Sequence, residues 1–384
     1  MQLKRILAIV VKEFREILRD PLYFSLCFIV PSALMVMFVY GLSLDVENVP
    51  FAVVDYDKTN LSRDYIYKFA KSRYFDLKAY TEDERKIDKM LDKGVIRMEL
   101  IIPEHFQENL FAGRKADVQF LIDGTFPYRT KITKGYIVAM NADFNSKILP
   151  SYISKTMGIP LKQAKSKLNP IGLQVRYFYN EPVKSIYSLA PALMGMILFM
   201  SPPFLTALGI VREKESGSIY NIYSSTVTRS EFLIGKLFPY VVISIINANI
   251  LWIMVTSLFE VPFKGNLPFF AVATGIYVIC STGIGLLVSA FVRTQVAAML
   301  ITTVLTVIPA WLYSGTMIPI ESLKKEAWIE AHMFPCMYYN YIIMGSFLKG
   351  VGTSILWTNL LALIIYSIVL FTAGYLLFHK RIKA

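Results

Sequence analysis

The densest run of chemistry-bearing side chains lies in residues 212–236, REKESGSIYNIYSSTVTRSEFLIGK. Arg212, Glu213, Lys214 and Glu215 place four alternating charges within about one helical turn, and Arg229, Glu231 and Lys236 form a second charged group. Such residues form ion pairs and recognise charged partners; the run contains no catalytic constellation. Thr228-Arg229-Ser230-Glu231 has capping-box spacing, in which the Thr hydroxyl bonds the amide three residues on and the Glu reaches back. That box predicts a helix starting there, with Gly235–Lys236 at its entry into apolar sequence. Residues 212–223 suit a preceding helix, with Ile219, Tyr220, Ile222 and Tyr223 as its apolar content. Two readings are open on these residues alone. Either the charges mark the ends of the apolar segments on each side, or the loop receives work from another protein.

Other chemistries find little support. Cys27 and Cys280 lie inside apolar segments and Cys336 in a loop, so they read as small buried hydrophobes. His105, His332 and His379 have no metal-ligand spacing. No GxxxxGK[ST] motif occurs, so the chain has no phosphate-cradling loop of its own, and no cofactor or metal is expected. Asp55, Asp57 and Asp123 fall at strand ends, where they either hold a metal or, the commoner use, cap the next helix.

The elements that position the loop follow from hydropathy. Of 384 residues 55% are hydrophobic, above the roughly 45–50% of soluble chains, and mean hydropathy is +0.48. Six stretches lack Asp, Glu, Lys and Arg altogether: 22–44, 185–211, 237–259, 265–292, 294–320 and 350–378. About 20 apolar residues cross the hydrocarbon core as a helix, so each is long enough. The fold class is therefore an α-helical polytopic membrane protein with six transmembrane helices. Residues 1–21 form an amphipathic interfacial helix, with apolar positions at helical spacing and basic positions between. The net charge of +12 points to anionic lipid headgroups rather than nucleic acid, because basic residues flank the apolar segments. Residues 45–184 are a polar insert whose strands and helices alternate, which predicts a sheet with helical cover.

Orientation follows from Lys and Arg in the short segments. With both termini cytoplasmic, thirteen fall inside and four outside. That places 45–184 outside the membrane as an extracytoplasmic α/β domain, and 212–236 and the tail 379–384 inside. Within 185–378, Pro202, Asn247, Asn249, Pro309, Trp311, Ser314 and Gly315 are candidate transport-pathway residues, with the asparagines expected to bond between helices. Residues 309–319 suit a broken or re-entrant helix end, and residues 321–335 a short interfacial helix. No span carries an acid or base in its middle, which argues against ion-coupled transport. Energy for transport must then enter from a partner.

This order of segments, together with Arg212-Glu213-Lys214-Glu215, Gly217-Ser218, Thr228-Arg229 and Gly235-Lys236, resembles the permease subunit of bacterial type-2 ABC exporters, in the drug-efflux-like subgroup with a large periplasmic domain. VVDYDKTNLS (53–62), IIPEHF (101–106) and LIDGT (121–125) fit the same family; Ser225-Thr226-Val227 stands where relatives often carry a proline. The resemblance implies that residues 212–236 form a coupling helix seated on a separate ATPase subunit. Glu213, Glu215 and Arg229 would make polar contacts there, Gly217, next to Ser218 of the same coupling segment, would allow close approach, and Tyr220 and Tyr223 would be apolar anchors. It also implies a homodimer or heterodimer of permeases in a bacterial inner membrane, with ATP hydrolysed by the partner rather than by this chain. The external domain would receive substrate or dock a periplasmic adaptor leading to an outer-membrane channel. The substrate would be drug-like, lipophilic or a lipid. The competing classes are a non-transporting membrane scaffold and a receptor with an external ligand-binding domain; the latter calls for a cytoplasmic signalling domain, and the longest internal segment has only 25 residues.

Overall fold

The computed structural model describes residues 2–42, 46–81, 84–112, 114–125, 127–158, 160–162, 179–180, 184–219 and 226–378. The chain divides into two compact units, one made of Met1–Ser43 with Tyr177–Ala384 and the other of Leu44–Arg176.

The first unit is helical. Helix α1 (Leu3–Arg19) is followed at Pro21 by α2 (Pro21–Gly41), the first of six helices long and apolar enough to cross a membrane. Asp20 makes this junction: its carboxylate accepts from the amides of Leu22 and Tyr23 at 3.0 and 3.5 Å, and Pro21 supplies a first-turn residue with no amide to satisfy. The other five long helices are α8 (Ser185–Glu215), α9 (Arg229–Leu258), α10 (Leu267–Phe291), α11 (Gln295–Tyr313) and α14 (Thr353–Leu377).

Helix α8 is the hub. Of the residues in its apolar stretch 89% are buried, against 11% for α14. It carries Pro191, Pro202 and Pro203 internally, which a helix tolerates where neighbours re-satisfy the freed backbone. Thr206 donates to the Pro202 carbonyl at 2.8 Å. Helix α10 approaches so closely that a Cβ on Gly285 would lie 2.3 Å from the Pro203 carbonyl oxygen; only glycine permits that distance.

The region after α11 holds a second helix that its sequence reading did not assign. Helix α12 (Lys325–His332) is short, and α13 (Pro335–Met344) then extends through a π turn to Lys349. This segment is too short to cross a membrane, yet its Tyr339, Ile342, Ile343 and Phe347 are fully buried. Tyr339 stacks on Tyr277 of α10 at 3.9 Å, and the two hydroxyl groups bond Thr274 and the Gly195 carbonyl. Hydropathy alone could not show this half-length helix, because its apolar content is diluted by hydroxyls that find partners only in the packed core.

The second unit contains β1 (Val49–Asp55), α3 (Asn60–Ala70), β2 (Phe75–Tyr80), α4 (Glu84–Asp92), β3 (Met98–Ile102), α5 (Phe106–Phe111), β4 (Gln119–Ile122) and two consecutive helices, α6 (Pro127–Asp143) and α7 (Leu149–Met157). Strand order is β2-β1-β3-β4; β1 runs parallel to β2 and β3, and β4 is antiparallel. Central β1 is apolar on both faces because helices cover both: Phe51 and Val53 pack with Leu61, Phe69 and Phe144, and Ala52 and Val54 with Ile87 and Ile96.

The strand-end aspartates organise turns. Buried Asp55 accepts from the amides of Asp57 and Lys58 and from the hydroxyls of Ser62 and Tyr80. Asp57 accepts from Thr59 and the Gln107 amide, and Thr59 in turn caps α3. Asp123 accepts from the Thr125 amide at 2.9 Å and pairs with Arg97. Those two partners, Thr125 first, hold the Asp123 carboxyl down at about 2. A depressed carboxyl stabilises the fold above its ordinary value and loses that contribution as pH falls through the depressed one. Hydrogen exchange on the full chain is therefore expected to show β3–β4 amides losing protection between about pH 4 and pH 2, with Asp123→Asn already less protected at pH 7 and flat across that window.

Candidate functional site

The predicted loop residues are gathered at one end of the helical unit, where α1 lies against the end of α8 and the start of α9. Thr228 and Glu231 form the predicted capping box: the Thr hydroxyl accepts from the Glu231 amide at 3.3 Å, and the Glu carboxylate accepts from the Thr228 amide at 2.9 Å. The second Glu231 oxygen accepts from the Gln2 amide at 2.6 Å, and Arg5 stands 3.9 Å from the first while donating to the Thr226 carbonyl. One carboxylate thus starts α9 and anchors the beginning of α1.

The middle of α1 is held by a buried ionic network. Lys236, 1% exposed, donates to Glu13 of α1 at 2.6 Å and lies 3.0 Å from Glu213 of α8. Tyr240 donates to the other Glu13 oxygen at 3.1 Å, and Lys12 donates to Glu213 at 2.6 Å. Burial pushes the Glu13 carboxyl above its ordinary value, against the pull of Lys236. Burial also draws the Lys12 ammonium down, but Glu213, as acceptor and as charge, leaves it above its ordinary value. Glu13, Glu16 and Glu213 offer oxygens within 4.8 Å of one another. Lys12 and Lys236 already sit among them, so the cluster is charge-matched by ammonium groups rather than arranged for a metal.

The far end of α1 is tied by Asp20, which pairs with Arg212 at 3.0 Å while Arg212 also lies over the Tyr23 ring. Between these ties the helices touch. A Cβ on Gly235 would lie 2.9 Å from Ile9 Cβ and 3.3 Å from the Ile6 carbonyl. Gly217 follows α8 at φ +74°, the left-handed conformation that commonly ends a helix.

The remaining predicted residues separate by surroundings. Lys214 donates to the Ser289 carbonyl and lies over the Phe378 ring. Exposed Glu215 accepts from the amide and side chain of Gln295 at 2.8 and 3.0 Å. Ser218 bonds Ser216 and the Glu213 carbonyl. Arg229 lies over the Tyr375 ring at 4.3 Å. Tyr220 and Tyr223 lie outside the described residues. Glu213 and Lys236 turn inward, so their charges are matched within the chain.

The seven pathway candidates do not form one cluster of contacts. Pro202 is packed in α8, and Asn247 is buried with its carbonyl oxygen unpartnered among the described residues. Asn249 is a correction: it is exposed and donates to Ile245 of its own helix at 2.8 Å instead of bonding across helices. Pro309, Trp311, Ser314 and Gly315 close α11: Trp311 meets Phe38 edge-on, Ser314 accepts from Asn340 through its carbonyl at 2.8 Å, and Gly315 has φ +81°.

Lys12, Glu13, Asp20 and Tyr240 were not picked out from sequence. For Glu13 a signal existed. It falls at the same helical phase as Val10 and Ile17, both buried, and a charge in an apolar phase calls for a buried partner.

Residues 22–376 match the family model described as ABC-2 family transporter protein. The chain is 25% identical over 362 residues to the probable multidrug ABC transporter permease YbhS of Escherichia coli (strain K12), covering 94% of this chain and 93% of that one. It is 24% identical over 382 residues to the probable multidrug ABC transporter permease YbhR of the same strain, covering 98% and 99%. It is 23% identical over 399 residues to that strain's inner membrane transport permease YhhJ, covering 99% and 98%.

Removing one partner from a buried ion network leaves an uncompensated charge, at a cost of roughly 3–5 kcal/mol, whereas a half-exposed pair contributes about 0–1 kcal/mol. Lys236→Met is therefore expected to lower the unfolding temperature in detergent markedly and Arg212→Ala hardly at all. Cys27, Cys280 and Cys336 are all buried, so a thiol-reactive dye reports the transition; equal effects of the two substitutions would refute the network's role.

Proposed function

This chain belongs to the ABC-2 family of transporter proteins and is a transmembrane permease subunit of an ATP-binding cassette exporter; from that premise we propose that the ionic network around Lys236 turns residues 212–236 into its coupling element. Family membership implies an ATPase subunit as partner and a dimeric working unit. The observation that carries the proposal is the burial of Lys236 between Glu13 and Glu213.

Because α1, the end of α8 and the start of α9 share these buried charges, they move as one body. The ATPase meets the loop at exposed Glu215 and Thr228, with Ser218 and Arg229 beside them; the family resemblance adds Tyr220 and Tyr223 as apolar anchors. Glu213 and Lys236 act inside, keeping the loop and α1 in register. When ATP draws the ATPases together, the loop and α1 are pushed as a unit, and α8 and α9 carry the displacement into the membrane. Packing transmits strain well because a close-packed interior has few alternative arrangements.

The remaining features follow from the same reading. The excess of Lys and Arg in residues 1–21, 212–236 and 379–384 supports a cytoplasmic location for both termini and the loop. Residues 45–184 then form the extracytoplasmic α/β domain, which receives substrate or docks an adaptor. The exposed apolar residues Leu7, Val11 and Leu18 support an interfacial position for α1. The names of the E. coli relatives YbhS and YbhR support a drug-like, lipophilic substrate. Ser244, Asn247, Ser281 and Thr302 each bury a polar side-chain atom that is unpartnered among the described residues, which suits passage of molecules with some hydrogen-bonding capacity.

Deletion of the gene is expected to sensitise cells to lipophilic drugs, with wild type restoring resistance. Glu215→Lys combined with Arg229→Glu should insert normally, yet fail to restore resistance and fail to alter nucleotide hydrolysis by the co-purified ATPase. Full resistance with that double variant would overturn the coupling assignment.

A further inference from the structure

Beside the ionic network, on the outer side of α1, lies a cavity of about 740 Å³. Its polar lining consists of Lys12, Arg15, Glu16 and Arg19 from α1, Asp20 from the junction and Arg212 from α8. Four cations face two carboxylates. Asp20 is matched by Arg212, and Glu16 by Lys12 at 3.4 Å. Arg15 and Arg19, one turn apart on the same face, have no carboxylate partner among the described residues. The cavity thus presents two forked cations in excess, with Lys12 and Arg212 beside them. That is the donor set for a phosphate, which guanidinium groups bind through paired N–H bonds.

The surroundings indicate which phosphate. Pro21 lines the cavity and opens the first membrane-spanning helix, so the cavity stands at the level where that helix enters the bilayer. Leu7, Val11 and Leu18 form an exposed apolar stripe next to the arginine row, and Leu22 continues it onto the span; Leu7 and Leu18 are 60% and 59% exposed. A free phosphate uses none of that apolar surface. A phospholipid uses both parts, with its headgroup among the cations and its chains along the stripe.

We propose that this cavity binds the headgroup of one anionic phospholipid. The lipid neutralises Arg15 and Arg19 and bridges them to Lys12 and Arg212. Those two residues are the outer members of the ties that hold α1 to α8. Lipid occupancy therefore tightens α1 on the helical unit, and the composition of the membrane sets how firmly the loop and α1 move together. The site does not depend on where the ATPase docks, and its binding test involves no ATPase.

The test uses the purified full-length chain in detergent and its thermal unfolding. Dioctanoylphosphatidylglycerol is expected to raise the unfolding temperature by roughly 5 °C at saturation. Dioctanoylphosphatidylcholine and inorganic phosphate at the same concentration should have no effect. Arg15→Gln with Arg19→Gln should leave the lipid-free temperature unchanged, because both side chains are exposed and lack carboxylate partners, while weakening the phosphatidylglycerol response at least about tenfold. A full shift with phosphatidylcholine overturns the proposal, as does an undiminished response in the double variant. A full shift with phosphate alone overturns the lipid assignment in favour of a free-phosphate site. If the variant keeps its lipid response but no longer retains an ATPase on co-purification, the face belongs to an acidic protein surface. Native mass spectrometry of the wild-type chain supplies a reading independent of the variant: one phosphatidylglycerol retained per protomer supports the site, and none retained refutes it.

Discussion

Lys236 is the constraint on which the α1 end of the helical unit depends. An ammonium group almost fully removed from water is tolerable only if carboxylates meet it at close range. Glu13 and Glu213 do so from two other helices, at 2.6 and 3.0 Å. Neither carboxylate is a sequence neighbour of Lys236, so the match exists in one mutual arrangement of α1, α8 and α9. Such a network adds little net stability compared with apolar packing. What it adds is penalty for misalignment: a shift of α1 by one turn would take Glu13 from Lys236 and Lys12 from Glu213, leaving buried Glu13 unmatched. Glu231 at one end of α1 and Asp20 at the other extend the same registration along the helix.

That registration matters because the rest of the unit is graded from rigid to exposed. Helix α8 is surrounded by protein and carries three prolines, and α10 and α13 lock against it through Gly285 and the Tyr277–Tyr339 stack. Helices α11 and α14 show most of their apolar surface, which suits contact with lipid or a second copy. A displacement delivered through α1, α8 and α9 reaches the packed centre first. The same physical fact gives the lipid headgroup site its leverage, since it touches the outer ties of the network.

The residues that could be read from sequence were those governed by local rules. The Thr228–Glu231 box depends on four consecutive residues, and it forms. The six spans depend on uninterrupted apolar length, and six helices of that kind are present. Asp55 departs from the expected helix cap: it organises the turn after β1, and Thr59 caps the helix instead. Residues whose role depends on distant partners were read incompletely. Glu213 and Lys236 were visible as charges, but sequence spacing could not show that they face each other across 23 residues and both face Glu13. Asn249 misled because an asparagine in a span can satisfy itself on its own helix. Residues 335–349 hid a buried half-length helix, since the Tyr339 hydroxyl is compatible with burial only once Thr274 is in reach.

The sequence by itself determined the class of the protein, the number of its spans, the family and the location of the charged loop proposed to couple it to an ATPase. Length without charge and short motifs encode those features, and neither needs tertiary knowledge. Tertiary structure decided what the charges in that segment do. It turned Glu213 and Lys236 inward, left Glu215 facing water, and placed Arg15 and Arg19 beside an apolar stripe at the membrane entry. The reason is that a charge is informative only together with the distance to its counter-charge, and that distance is set by how helices pack.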